Sequence, residues 1–434
     1  VGVVAEVGEL ILVDPTRITP VGEGGALPSP IDAGDTVVIA VHDFAWPRVP
    51  GPHVLVGIDA DTGEVRWTFE PDDGDVTGCA GDLLDGHLAC SVRDGDGEDQ
   101  RSGIVLIDVT TGEETGRFDL PADPGLITVS GSRLYSLSGT SVFPVPRPEG
   151  APLRYELGAY EASGEQVWAT ELVFQPQDRG LSYAVEVGEE LIAVDIIGSS
   201  FVLSADDGAV VLQHEGVGDW RMTDDGAPLL ARATSEGQWS LTLVGADGAE
   251  VADLSGFVLL WDVFDDDGVV HLLDEQGQVV TLDTATGATA GTGVTPEYRH
   301  AEEGYDSYWA PAVSAWDGML IVRSSPFGGP HSLRGYALAD PAQPAWEREV
   351  ERYYVGGGWH SALTDGTLLY TGVVDDAGGE AADGTWTSSF AAVDTSDGSL
   401  AWTLSVRSEQ GPWGAARGLT FARAGGRLVI IDNT

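Results

Sequence analysis

HVLVGIDADTGEVRWTF, residues 53–69, decides how the rest of the chain is read. Val54, Val56 and Ile58 alternate with Leu55, Gly57 and Asp59, a period of two that predicts a strand. Asp61-Thr62-Gly63 then turns the chain, with Gly63 able to take the positive φ that a tight hairpin needs. A second strand is expected from Glu64 to Phe69, and it carries Trp67. Gly63 follows Asp59 by four residues and Trp67 follows it by eight. A single hairpin of this kind is marginal alone, so its meaning lies in repetition.

The same offsets recur along the chain. GIVLIDVTTGEETGRF carries Asp108, Gly112 and Gly116, and LGAYEASGEQVWATEL carries Tyr160, Gly164 and Trp168. QVVTLDTATGATAGTG carries Asp283, Gly287 and Gly291, and FAAVDTSDGSLAWTL carries Asp394, Gly398 and Trp402. SFVLSADDGAVVLQ and SLTLVGADGAEVAD keep only the glycine, at Gly208 and Gly248. RGYALADPAQPAWERE keeps Trp346 but has Pro and Gln where the turn glycine should be. Successive anchors of these eight copies lie about 40 to 55 residues apart, the range of propeller blades and solenoid coils.

Upstream of the copies lie two further apolar runs around a turn, such as DVTGCAGDLL and GHLACSV ahead of Gly112. Ahead of Gly287 they are FVLLWDVF and GVVHLLD. Four short antiparallel strands per unit, joined by Asp/Gly turns, are what a propeller blade requires. The run (Leu/Ile)-Asp-x-x-Thr-Gly-x-x-x-Trp, seen from Ile58 to Trp67, resembles the repeat of the PQQ-like (quinoprotein alcohol dehydrogenase-like) β-propellers. The resemblance covers nearly the whole chain, most clearly in four copies. It implies an all-β propeller in which Trp and Gly of neighbouring blades pack together and lock the ring.

Eight four-stranded blades are expected, with seven and nine as alternatives, in one domain over residues 1–434. Residues 24–407 hold the blades, ending near Glu70, Leu120, Phe174, Glu215, Phe257, Pro296, Tyr353 and Arg407. Residues 1–23 read as a strand, a Pro-marked turn and another strand, and residues 408–434 as two further strands with no hairpin behind them. A ring must hide its last sheet edge, so pairing of these N- and C-terminal strands is the expected closure.

Composition bounds the partners. There are 70 acidic and 21 basic residues, a net charge of −49, and all 21 are Arg because Lys is absent. So acidic a surface repels nucleic acid and anionic lipid, and neither is expected as a partner. No run of about 20 apolar residues appears. The chain starts at Val1, which suggests a mature secreted protein or an ectodomain whose anchor has been removed. Cys79 and Cys90 flank the turn LLDGHL on strands that should pair, so a cross-strand disulfide and a place outside the cytosol are expected. Two thiols eleven residues apart, without further ligands, do not make a zinc site.

Catalytic signatures are missing. There is no nucleophile elbow, no phosphate-binding glycine loop and no H-E-x-x-H. The eight histidines are scattered, and His271 in GVVHLLD suits a core or interface place. The resemblance alone would imply a quinone, a calcium ion, an Asp base and a Trp platform, as in the quinoprotein dehydrogenases. This chain lacks their adjacent-cysteine pair, is short for them, and offers no matching ligand set, so a non-catalytic member is expected, with neither PQQ nor another resident cofactor.

Two features stand out from the background. Asp94, Asp96 and Glu98 alternate in DGDGED as the ligands of a calcium loop do, although a solvated turn in an acidic protein has the same pattern. Aromatic residues gather in the connectors of the last third: Tyr305, Tyr308, Trp309, Tyr353, Tyr354, Trp359 with His360, and Trp413. Exposed Trp and Tyr supply rigid contact area for a protein or cell-envelope glycan, while the alternative is that they cap blade interfaces. The sequence thus points to a secreted or surface-tethered binding module. A quinone- or metal-dependent oxidoreductase and a self-assembling surface subunit are the rival classes.

Overall fold

A computed structural model gives the architecture. It describes residues 11–13, 31–42, 53–59, 62, 64–71, 74–95, 101–122, 124–139, 152–174, 183–196, 199–215, 218–222, 226, 228–233, 239–245, 247–259, 270–295, 313–316, 318–324, 331–350, 363–364, 368–373, 379–380, 386–408, 419–424 and 427–432. Among them there is no helix, hence none able to cross a membrane, and every described pairing is antiparallel. The protein is all-β.

The strands group into successive sheets, each ending on one of the repeated hairpins. The first comprises Ile31–Asp32, Thr36–His42, His53–Asp59 and Val65–Phe69, in that order. The second comprises Asp75–Leu84, His87–Asp94, Arg101–Asp108 and Glu114–Leu120, and the third Pro124–Ser130, Arg133–Gly139, Leu153–Glu161 and Gln166–Phe174. The fourth runs through Tyr183–Val187, Leu191–Ile196, Ser199–Ser204 and Val210–Glu215, and the fifth through Gly218–Met222, Pro228–Ala233, Trp239–Val244 and Glu250–Asp253. Short strands make the sixth: Val258–Leu259, Val270–Leu273, Val279–Leu282 and Thr289–Gly291. The seventh holds Val313–Trp316, Met319–Ser324, His331–Ala337 and Trp346–Val350. The eighth holds Leu363–Thr364, Leu368–Val373, Trp386–Asp394 and Leu400–Ser408, with Gly379–Glu380 also paired to Trp386–Asp394. A separate three-stranded sheet has the order Ile11–Val13, Arg427–Asp432, Leu419–Ala424.

By contacts the chain forms two compact units. One is Val1–Glu236 with Val244–Glu250 and Ala422–Ile430; the other is Gly237–Leu243 with Val251–Phe421 and Ile431–Thr434. In the first unit the core is a series of layers between consecutive sheets. Val38, Leu55, Trp67 and Phe69 of the first sheet meet Val76, Cys79, Leu88, Cys90, Val105 and Ile107 of the second. Ala80, Leu84, Ile104 and Leu106 of the second meet Ile127, Val129, Leu134 and Tyr160 of the third. Tyr135, Leu157 and Phe174 of the third meet Ile192, Val194 and Phe201 of the fourth. Alternate residues of one strand therefore serve two layers, which explains apolar runs such as Ile104-Val105-Leu106-Ile107 that are buried on both faces. In the second unit Ile321, Leu333 and Trp346 of the seventh sheet pack on Ala391 and Val393 of the eighth.

Candidate functional site

The repeated hairpin is built in the same way in the second, fourth, sixth and eighth sheets. Asp108 N–H donates to the Glu113 carbonyl, and Gly112 N–H donates back to the Asp108 carbonyl, closing a four-residue loop. Gly112 sits at φ 72°, left-handed backbone that costs a side-chain-bearing residue strain. The Asp108 carboxylate accepts the N–H groups of Thr110 (2.9 Å) and Thr111 (2.8 Å), which hold its pKa below the ordinary carboxylate value. Asp59 is held lower chiefly by Arg66, whose Nε and Nη2 donate to Oδ2 at 2.8 and 2.6 Å while Nη1 reaches Thr36 Oγ1. Asp283 and Asp394 accept turn N–H groups likewise. The aspartate is thus the turn's own cap, and its chemistry is structural.

The glycine in each turn leaves room for the preceding sheet. A Cβ on Gly112 would stand 2.6 Å from Cδ2 of Trp67, whose Nε1–H donates to the Val109 carbonyl at 2.8 Å. Trp168 lies in the same way on Gly208 and donates to the Ala205 carbonyl (3.2 Å). Trp346 lies on Gly398 and donates to the Thr395 carbonyl (2.9 Å). In all three the acceptor is three residues before the glycine. Thr170 Oγ1 and Arg348 Nε, each two residues after the indole, add a hydrogen bond to the glycine's own carbonyl at 2.7 Å. Gly63 lies outside the described residues. Trp402 is half-buried on the outer strand of the eighth sheet.

The third hairpin departs from the expected offsets. Glu161, not Tyr160, takes the place of Asp59: its N–H donates to the Glu165 carbonyl, and Gly164 N–H donates to the Glu161 carbonyl, giving a loop one residue shorter. Tyr160 is buried, stacks on Phe118 at 6.1 Å, and fills the space beside Gly158. Phe118 also covers Gly164, two residues beyond the Gly116 position where an indole stands elsewhere. The sheet pairs also show a signal that the sequence reading missed. The residue opposite each indole is Gly57, Ala159, Gly335 or Ala392, because the ring lies flat across that strand. Where the outer residue is Gly116, its partner is the larger Leu106.

Cys79 and Cys90 are register partners and form a disulfide, buried in the layer that also holds Trp67. Three residues, Ala80 to Asp82, then bulge opposite Ala89 before pairing resumes at Leu83 with Leu88. Asp94 is exposed at the end of its strand, whereas Asp96 and Glu98 lie outside the described residues. Among the described residues no group of three metal-ligating side chains comes together. Tyr305, Tyr308, Trp309, Tyr353, Tyr354, Trp359, His360 and Trp413 all lie outside the described residues. His271 is buried in the sixth sheet.

No family model matches the chain, and no curated protein does. Among solved structures it is similar to one described as the eukaryotic initiation factor, at 12% identity over 91% of this chain and 91% of that one, with a TM-score of 0.50. It is also similar to the quinohemoprotein alcohol dehydrogenase ADHIIG from Pseudomonas putida HK5, at 14% identity over 95% and 73% of the two chains and a TM-score of 0.41. A third is the Dos1 propeller, at 12% identity over 76% and 84% and a TM-score of 0.42. At these identities the likeness concerns the fold alone. The repeated four-stranded antiparallel sheets and docked indoles are themselves what an all-β fold of the propeller type requires.

Proposed function

We propose that the chain is a non-catalytic β-propeller of eight blades that binds a protein or cell-envelope glycan outside the cytosol. The observation that carries this reading is the docking of indoles on turn glycines between consecutive sheets. It commits the hairpins to rigid packing and leaves connectors to carry recognition, as loops on a fixed scaffold do. The three-stranded sheet that sets Ile11–Val13 beside Arg427–Asp432 suits closure of one ring, in one domain, by the chain ends. In that ring the aromatic connectors around Trp309, Trp359 and Trp413 would share one face. A buried disulfide suits secretion or display at the cell surface. A calcium ion in the Asp94 to Glu98 loop is compatible with this role.

The test is capture from a native envelope extract with the intact chain as bait, beside a Trp309→Ala/Trp359→Ala variant. The expected result is one enriched protein or glycan that the variant loses while its thermal unfolding stays unchanged. Unfolding of the variant would make the aromatics core. A quinone absorbance in the purified protein would instead support an oxidoreductase, and a filament that forms regardless of the two indoles would support a structural subunit.

A further inference from the structure

The junctions between sheets are unequal at their outer ends. Trp67, Trp168 and Trp346 each bring an indole and a hydrogen bond, and Phe118 brings a ring. The sixth sheet differs from these. Nearest its turn glycine, Gly287, is the methyl group of Ala252, with Val251 Cγ1 beyond it at 3.7 Å, while Gly248 of the fifth sheet is covered by the larger Val211, again without a ring. An indole removes several times more apolar area from water than a methyl does.

The side of the sixth sheet that should reach its successor is equally slight. Its outer strand Thr289–Gly291 is three residues long and exposed throughout, and Gly291 stands eight residues after Asp283, the offset of Trp67 from Asp59. Towards the seventh sheet, Pro341 lies over Gly293. Register adds a weaker sign. In the first, second, third, fourth and eighth sheets the pairing shifts by one residue just before the outer-strand position where Trp67 docks, whereas the seventh pairs Gly335 with Trp346 without a shift. Such a bulge sharpens the local twist and re-aims the side chain after it. In the sixth sheet Leu282 with Thr289, Thr281 with Ala290 and Val280 with Gly291 run on without a shift.

We propose that the sixth sheet is a local opening unit: its strands separate from their neighbours while the indole-locked sheets stay folded. Its inner strands still bury Leu272, Leu273, Val279, Val280 and Leu282, so the closed state is ordered. The difference lies in the free energy of opening, which is set region by region by the apolar contacts that hold each part.

Hydrogen exchange of the whole chain at increasing urea, below its unfolding transition, tests this. Amides of Val270–Leu273 and Val279–Leu282 should exchange at least tenfold faster than those of Leu191–Ile196 and Ser199–Ser204, with a smaller urea slope because less surface is exposed than in global unfolding. A second reading comes from Val280→Cys and Val202→Cys, two buried sites, with the Cys79–Cys90 disulfide left oxidised. A thiol reagent should label the first at least tenfold faster than the second. Equal exchange rates and equal urea slopes in the sixth and fourth sheets would overturn the proposal, as would equal labelling.

Discussion

Gly112→Ala and Trp67→Ala should be strongly coupled, and the size of the coupling follows from the geometry. Trp67 is 7% exposed, with its ring over Gly57 on its own sheet and Gly112 on the next. Burying about 200 Å² of indole at about 25 cal/mol per Å² gives ~5 kcal/mol, and truncations of buried aromatics cost about 3–5 kcal/mol. Trp67→Ala should therefore lower stability by about 3–5 kcal/mol, part of it from the lost hydrogen bond to Val109. Gly112→Ala carries two separate costs. Left-handed backbone at φ 72° costs an alanine about 1–2 kcal/mol, and the new Cβ, 2.6 Å from the indole, forces an overpacking of about 1–3 kcal/mol. In the Trp67→Ala background the second cost disappears because the ring has gone. Urea unfolding of the four proteins, followed by far-UV circular dichroism, should give a coupling of about 1–3 kcal/mol. Additivity within about 0.5 kcal/mol would mean that the glycine is there for its turn alone, and the docking account would fail.

Replacing Trp346 by Phe keeps a ring on Gly398 but loses the donor to Thr395, so unfolding should shift by about 1 kcal/mol, well below the loss for Trp346→Ala. Reducing the Cys79–Cys90 disulfide in the unfolded chain and trapping the thiols should lower stability by about 2–3 kcal/mol; no change would show that the bridge does not constrain folding. Asp59 has a folded pKa below its unfolded value, so its contribution is present above the unfolded carboxylate pKa and is lost as pH falls through the folded one. The stability advantage of the wild type over Asp59→Asn should thus begin to shrink below about pH 4, and an advantage that does not fall with further acidification would contradict the Arg66 pairing.

Much of the fold could be read from local pattern because a two-residue period and Asp/Gly turns are decided within each hairpin. His53–Asp59 and Val65–Phe69 show this, and so does the pairing of Cys79 with Cys90 across a short turn. The third hairpin was misaligned for a physical reason. Tyr160 falls at the right spacing from Gly164, but the loop is one residue shorter, so Glu161 caps it and Tyr160 goes to the core. Docking partners were harder to see. The acceptors Val109, Ala205 and Thr395 are backbone carbonyls, which leave no mark in the sequence. The small residues opposite the indoles were visible but acquire meaning only once the bulged register is known. The candidate binding aromatics fall in stretches of sequence with no short-range period to fix their neighbours.

The proposed binding role is built on a closed ring, in which the connectors flanking the seventh and eighth sheets would line a channel mouth. The most direct test is a distance between the outer strands of the first and eighth sheets. Spin labels at Val65→Cys and Leu400→Cys, both exposed positions, can be placed while the Cys79–Cys90 disulfide stays oxidised. Closure through the three-stranded terminal sheet leaves one sheet between these two, about two packing steps of about 10 Å that widen outward, so dipolar spectroscopy should give a narrow distribution centred at about 30 Å. Seven successive steps of about 10 Å in an open array would give about 70 Å, and that result would contradict the ring and the binding face built on it.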